Sequence, residues 1–294
     1  MVENRLVVVE KEKAYFLSSL LLFLQKTQKS EDIIFNDFNA KEADFVINFL
    51  KKNKFRFSVR KELCPQFNLE QARKENKDPL SYFGKTMNYT YRRTIRAFGE
   101  DDLSLKVAEN AEQALASLDD LIVLYTDKWV KRKERRGMFD SPFYTSFQKE
   151  LIKKSADKGD LILTSLVSKK YGVLACTYLL IDNGVAYGYI VGQKNIDDIA
   201  SDTINNHKVK LGITLHMFNS RFLLEKGLHA YNYAPGPFSY KLALSNEMTE
   251  TVHISVKSGL KPYIRDYITQ LYLYLDSHPK LSKSLWYLRN KLKF

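Results

Sequence analysis

Apolar residues along the chain recur at two spacings, and the spacing assigns most of the elements. Between residues 40 and 52, Ala43, Val46, Ile47 and Leu50 stand at i, i+3, i+4 and i+7, one face of a helix. Behind Asn110, Leu115, Leu118, Ile122, Tyr125 and Trp129 keep helical spacing, and Gln113 occupies the capping-box position. Leu211, Leu215, Phe218 and Phe222 mark a helix over about 208–226, stopped by Gly227. Further helices are predicted at 14–25, at 80–96 behind Asp78-Pro79, and near 144–158. Alternation predicts strands at 5–10, 32–35, 55–59 and 103–107. Residues 160–167, 172–181 and 185–191 read as three strands joined by a Lys169–Gly172 turn and an Asp182-Asn183-Gly184 hairpin, an antiparallel meander. A loop, the 208–226 helix and a strand at 229–234 follow.

The pattern is mixed α and β throughout, with no repeat and no low-complexity tract. A chain of 294 residues with 45% hydrophobic content has the material for a sizeable core and one to two domains. The apolar stretch at 14–24 is too short to span a bilayer, which takes about 20 apolar residues, and no cleavage site of small residues follows it. It reads as a buried helix of a cytoplasmic protein. Two cysteines in a chain of this length fit a reducing compartment. Cys64 and Cys176 share no C-x-x-C spacing, so no structural zinc site is expected, and Cys176 in its apolar run reads as core packing.

The net charge of +12 points to an anionic partner: nucleic acid, anionic lipid or a phosphorylated small molecule. Helix N-termini expose unpaired N–H groups and a positive dipole end that suit phosphate. The start of the 208–226 helix is approached by Asn206, His207, Lys208 and Lys210, which serve equally as an anion site or as a solvated helix start. The loop Ala234-Pro-Gly-Pro-Phe-Ser-Tyr-Lys241 brings Tyr240 and Lys241 out near that site if it is functional, and is a plain turn otherwise. The five histidines (His207, His216, His229, His253, His278) are scattered and read as surface or packed residues. No hydrolase, zincin, P-loop or dinucleotide-binding signature is present. The basic run at 131–136 reads as the solvated end of its helix.

Three passages then resemble a known family. They are the basic helix Asn88-Tyr-Thr-Tyr-Arg-Arg-Thr-Ile-Arg96, the Trp129-to-Phe143 passage with Arg136-Gly137, and Asn232-Tyr-Ala-Pro-Gly236-Pro-Phe-Ser-Tyr240-Lys241. The last is similar to the D-F-x-x-G-x-x-x-Y-K pattern of the CelD-type acetyltransferases of bacterial polysaccharide biosynthesis, a group of the GNAT superfamily related to Fem-type transferases. Leu211-Gly212 matches that family's small residue at the cofactor helix.

The resemblance implies an α/β (α+β) GNAT-like fold: a mixed, mostly antiparallel sheet flanked by helices, centred on residues 82–258. It also implies two GNAT-like halves, the N-terminal one (1–100) abbreviated and the C-terminal one (101–258) carrying the acyltransferase site; the residues themselves predict a basic amphipathic helical tail at 259–294. Acetyl-CoA or another acyl-CoA is the implied donor, with pantetheine between splayed strands at Tyr189 and Val191 and pyrophosphate at His207, Lys208, Lys210, Leu211 and Gly212. Tyr240, Lys241 and Asn232 are the implied catalytic set, and Trp129, Tyr187 and Gly236 the implied substrate contacts. The implied acceptor is a small molecule: an amino sugar, a nucleotide sugar or another envelope precursor.

This sequence departs from the family at two places. Asn232 replaces its leading Asp, and Lys210 stands where the first phosphate-loop Gly belongs, so the backbone approach to pyrophosphate is altered. Two other readings stay open. One is a Fem-like transferase using aminoacyl-tRNA, which the +12 charge and basic runs suit. The other is a membrane-surface or scaffolding protein that uses the aromatic, basic residues 284–294 as an interfacial helix.

Overall fold

The computed structural model describes residues 12–27, 32–127, 137–199, 209–236 and 238–257. The predicted strand at 5–10, the basic run at 131–136 and the tail at 259–294 lie outside them. The described residues fall into two compact units.

One unit comprises the described parts of Glu3–Lys61 and Thr251–Phe294. Helix α1 (Lys13–Leu22) continues as a short π-helical turn, Phe23–Thr27. Strand β1 (Asp32–Phe38) follows, then helix α2 over Ala40–Lys52, the span its periodicity predicts. The Asn39 side chain accepts a hydrogen bond from the Glu42 N–H at the start of α2, a cap of the kind that contributes about 1 kcal/mol. Buried Ala43, Val46 and Leu50 of α2 pack with Leu17, Leu21, Ile33, Phe38, Val252, Ile254 and Val256.

The other unit is Glu62–Glu250. These boundaries differ from sequence divisions at 100 and 258. Helix α4 (Lys85–Phe98) packs on α7 (Leu211–Glu225) through the Tyr91–Phe218 rings, which keeps the residues before 100 in the same unit as the meander.

Strand β2 (Phe57–Asn68) begins where alternation predicts and runs on well past residue 59, into this unit. A short helix α3 (Leu69–Lys74) comes next, and Asp78-Pro79 opens a 3-10 turn ahead of α4. Then come β3 (Leu103–Val107), α5 (Ala111–Tyr125), α6 (Pro142–Ser155), β4 (Leu161–Ser168), β5 (Gly172–Asp182) and β6 (Val185–Gln193). Strand β7 (Ala230–Asn232) succeeds α7, followed by α8 (Ser239–Ala243) and β8 (Glu247–Lys257).

The sheet of this unit runs β2-β7-β6-β5-β4-β3, antiparallel except between β6 and β7. That parallel pair follows from the connection: a strand, a crossing helix and a strand in the same direction. Helix α5 closes one face with Leu118, Leu121 and Leu124 against Tyr178 and Ile190, and α7 contributes buried Leu215, Met217 and Leu223. The fold is therefore the mixed, mostly antiparallel α/β arrangement of a GNAT-like domain. No helix of the described residues is long and apolar enough to cross a membrane.

Candidate functional site

Two irregularities in β6 open the sheet. Its parallel ladder with β7 ends at the pair Tyr187–Asn232, so beyond Tyr187 the two strands part. On its other edge the register with β5 steps from Tyr178–Ile190 to Leu179–Gly188, leaving Tyr189 as an extra residue in the strand. Such a bulge bends the strand and re-aims its groups. The gap is a cleft of about 620 Å³, lined by Gly188–Val191 and Gln193 from β6, Lys210, Gly212, Ile213 and His216 from α7, and Tyr233–Pro235, Phe238, Tyr240 and Lys241 beyond β7. Tyr125 and Met138 also line it.

Among the described residues no side chain caps the start of α7. Lys210 caps it without a side-chain hydrogen bond, and its own N–H donates to Thr94 Oγ1 on α4 at 3.3 Å. A Cβ on Gly212 would lie 2.5 Å from Gln193 Oε1, so the helix start and the end of β6 meet closely where only hydrogen fits without moving Gln193. His207 and Lys208 lie outside the described residues, as does Trp129.

The loop after β7 is fastened by hydrogen bonds. Asn232 Oδ1 accepts from the Ala234 N–H at 2.8 Å, while its Nδ2 donates to Thr249 Oγ1 at 3.2 Å and Gln66 Oε1 at 3.4 Å. The carboxamide thus holds the turn and does not line the cleft. Ala234 (φ 61°) and Gly236 (φ 130°) both take left-handed backbone, which costs Gly236 little. Lys241 Nζ donates to the carbonyls of Ala234 (3.1 Å) and Pro235 (2.9 Å) and sits 5.4 Å from the Phe238 ring centroid. Burial pushes the Lys241 ammonium below its usual range, against an opposing pull from Cys64. Tyr240 and Lys241 lie in the short helix α8, and not in the loop that the turn-forming residues predict.

A ring cluster forms the floor. His216, buried, stacks on Tyr240 at 5.9 Å and 22°, meets Tyr233 edge-on at 5.4 Å, and shares a 2.7 Å hydrogen bond between Nδ1 and the Tyr231 hydroxyl. Aromatic contacts of this kind contribute about 0.5–1.5 kcal/mol each. Burial raises the hydroxyl pKa of Tyr231, Tyr233 and Tyr240, so all three stay protonated near neutrality. On the β6 side the Tyr189 hydroxyl pairs with that of Tyr144 at 2.7 Å.

Of the residues singled out in the sequence, Tyr189, Val191, Lys210, Gly212, Tyr240 and Lys241 therefore share one cleft. Asn232, Gly236, Tyr187 and Leu211 do not line it; Leu211 is buried in the core and Tyr187 is paired in the ladder. His216, Gln193 and Tyr233 line it without having been expected to. The available signal for His216 was its place one turn after Gly212 on the same helix face. Cys176 is core: it is fully buried, 3.2 Å from Ser165 Oγ, and its thiol is pushed up to about 12 by burial. Among the described residues no group of three or more His, Cys, Asp or Glu is placed to hold a metal ion.

An open strand edge, the start of α7, a glycine at their junction and Lys210 are chemically suited to a ligand that carries amide and phosphate groups.

Comparison with known proteins agrees on the fold. L-PGS from Bacillus licheniformis superposes with a TM-score of 0.56 at 15% identity, covering 89% of this chain and 79% of that one. FemX superposes with a TM-score of 0.56 at 10% identity, covering 88% and 81%. No curated protein matches the chain by sequence. The family described as the acetyltransferase (GNAT) domain matches residues 85–242, more than half of the chain, so the protein belongs to the GNAT acetyltransferase domain family.

Proposed function

We propose that the protein is an acyl-CoA-dependent N- or O-acyltransferase acting on a small acceptor: an amino sugar, a nucleotide sugar or another envelope or polysaccharide precursor. The observation that carries the reading is one cleft lined by the bulged, splayed part of β6, the start of α7 and Tyr240. Coenzyme A supplies an activated thioester when bound. Lys210 and the first N–H groups of α7 hold its pyrophosphate, and Gly212 leaves room beside Gln193. N–H groups of β6 near Tyr189–Val191 stabilise the thioester oxygen as charge develops on it. Tyr240, kept protonated by burial, gives its proton to the departing sulfur. Lys241 sets the loop that carries Tyr240, through its two carbonyl partners.

A thermal-shift screen against acetyl-CoA, longer acyl-CoAs, free CoA and tRNA tests the donor, because a ligand that binds only the folded state raises Tm. A rise with the CoA series and none with tRNA supports the proposal. The reverse pattern replaces it with a Fem-type reading on aminoacyl-tRNA. What favours that second reading is the outer face of α4, where Lys85, Arg92 and Arg96 are exposed and the helix carries no acid. Salt-dependent binding is its signature.

A further inference from the structure

The loop after β7 and helix α8 carry two large apolar side chains four residues apart, Phe238 and Leu242, exposed at 52% and 50%. Of the two, Phe238 lines the cleft. An aromatic ring left half open in the wall of a cleft offers its area to a ligand. Three neighbours orient this ring. Its Cδ2 and Cε2 lie against Gly236, where an added Cβ would stand 3.4 Å from both. Lys241 Nζ sits 5.4 Å from the ring centroid, and the Tyr240 ring lies 6.0 Å away at 37°. The same ammonium is fixed by the carbonyls of Ala234 and Pro235, residues that also line the cleft. Beside the ring there are thus an ammonium and two carbonyl oxygens, each oxygen with a second lone pair.

We infer that Phe238 is the platform of the acceptor subsite and that its occupant is a sugar ring, stacked through its C–H face. The inference rests on the acyltransferase reading and narrows its acceptor to a pyranose. A pyranose combines an apolar C–H face with a rim of hydroxyls, which matches an aromatic ring bordered by an ammonium and carbonyls. An alkyl chain matches the ring alone. In coenzyme A the adenine is separated from the sulfur by the pyrophosphate and the pantetheine arm. Phe238 stands beside Tyr240, the group assigned to that sulfur, so its ring belongs to the acyl end of the cleft and not to the adenine end. The geometry also gives Gly236 and Lys241 a shared task. A Cβ at position 236 would crowd both the Phe238 ring and, at 3.7 Å, Lys241 Nζ.

Saturation-transfer NMR on the full chain tests the inference. The probes are glucosamine and methyl β-glucopyranoside, with hexylamine as the alkyl control, each with and without coenzyme A. Ring C–H protons of one pyranose face should take up the most saturation. The Kd for glucosamine should rise at least about fivefold in Phe238→Ala and stay within about twofold in Phe238→Tyr, which keeps a ring. Leu242→Ala, of similar exposure, should also leave it within about twofold. Should Phe238→Ala not fold, the selectivity for one sugar face in the wild type still decides. Unchanged affinity in Phe238→Ala, an equal loss in Leu242→Ala, saturation without preference for a face, displacement of glucosamine by hexylamine at equal concentration, or no saturation of either sugar overturns the inference. Coenzyme A binding without a sugar signal would sink the subsite and leave the donor reading. A sugar signal that depends on Phe238, without coenzyme A binding, would sink the donor reading and leave the subsite.

Discussion

The central clusters of the two compact units hold different kinds of side chain. In the unit that holds α1 and α2, the central cluster is aliphatic and phenylalanine: Leu17, Leu21, Val46, Leu50, Val252, Ile254 and Val256, with Phe38 beside them. In the Glu62–Glu250 unit, the cluster under the cleft includes Tyr231 and Tyr233, with His216 and Ser220 buried among them. An apolar cluster is held by area and shape alone, and any side chain of similar volume serves it. A buried cluster of hydroxyls and an imidazole costs desolvation unless each polar atom is paired, so its geometry is fixed by specific bonds. The first arrangement stabilises a fold; the second also holds its polar rings in one orientation.

Substitutions break this contrast in order of size. Leu50→Ala, at a fully buried position of the apolar unit, is expected to lower unfolding free energy by about 2–5 kcal/mol, read from urea denaturation, with turnover per folded molecule kept. Tyr240→Phe should do the opposite, cutting turnover about 100-fold or more while shifting Tm little, because its hydroxyl bonds no described residue. Unchanged turnover would remove Tyr240 from the chemistry.

Asp78→Ala comes next. Asp78 caps the turn before α4 through the Leu80 N–H and takes a bidentate bond from Arg221 of α7. The loss should be about 1–2 kcal/mol, since the pair is part-exposed. Burial pushes the Asp78 carboxyl up, but Arg221 and the Leu80 N–H outweigh it and its folded pKa is lowered. The stability it contributes is therefore present above the ordinary carboxylate pKa of about 3.9 and lost as pH falls through the lower folded value. In Asp78→Ala that acid-dependent part should vanish from a urea-midpoint series.

The smallest effect belongs to Lys241. Its folded pKa lies below the unfolded one, so the unfolded chain binds more protons between the two values, and stability should rise with pH across that interval toward about 10.4. Lys241→Met should flatten that rise in the same series.

The same contrast explains what the sequence disclosed. Helix α2 was legible residue for residue, because Ala43, Val46 and Leu50 face an apolar cluster and Asn39 caps the start. The meander was legible through alternation and the Asn183-Gly184 turn, and the motif around Tyr240 and Lys241 marked one wall of the cleft. Helices α3 and α8 were not legible, being too short to show a period. Strand β8 left no readable signal either: residues 247–250 are polar or exposed, and only the stretch from Thr251 is buried. His216 was missed because its place one turn after Gly212 is a weak mark by itself. Its ring partners Tyr231, Tyr233 and Tyr240 meet it only in the folded chain. Asn232 was read as a catalytic candidate from its motif position, and its bonds to Ala234, Gln66 and Thr249 are those of a residue that holds the loop.

The central claim is that a pyrophosphate-bearing donor lies at the start of α7, in the cleft that Tyr240 lines. Calorimetric titration of coenzyme A into wild type, Lys210→Glu and Tyr240→Phe tests it most directly. The account predicts saturable binding to wild type, weakening of about tenfold or more in Lys210→Glu, a change of at least about 1.4 kcal/mol, and no change in Tyr240→Phe. Equal affinity for wild type and Lys210→Glu, or no binding to any of the three, would contradict it.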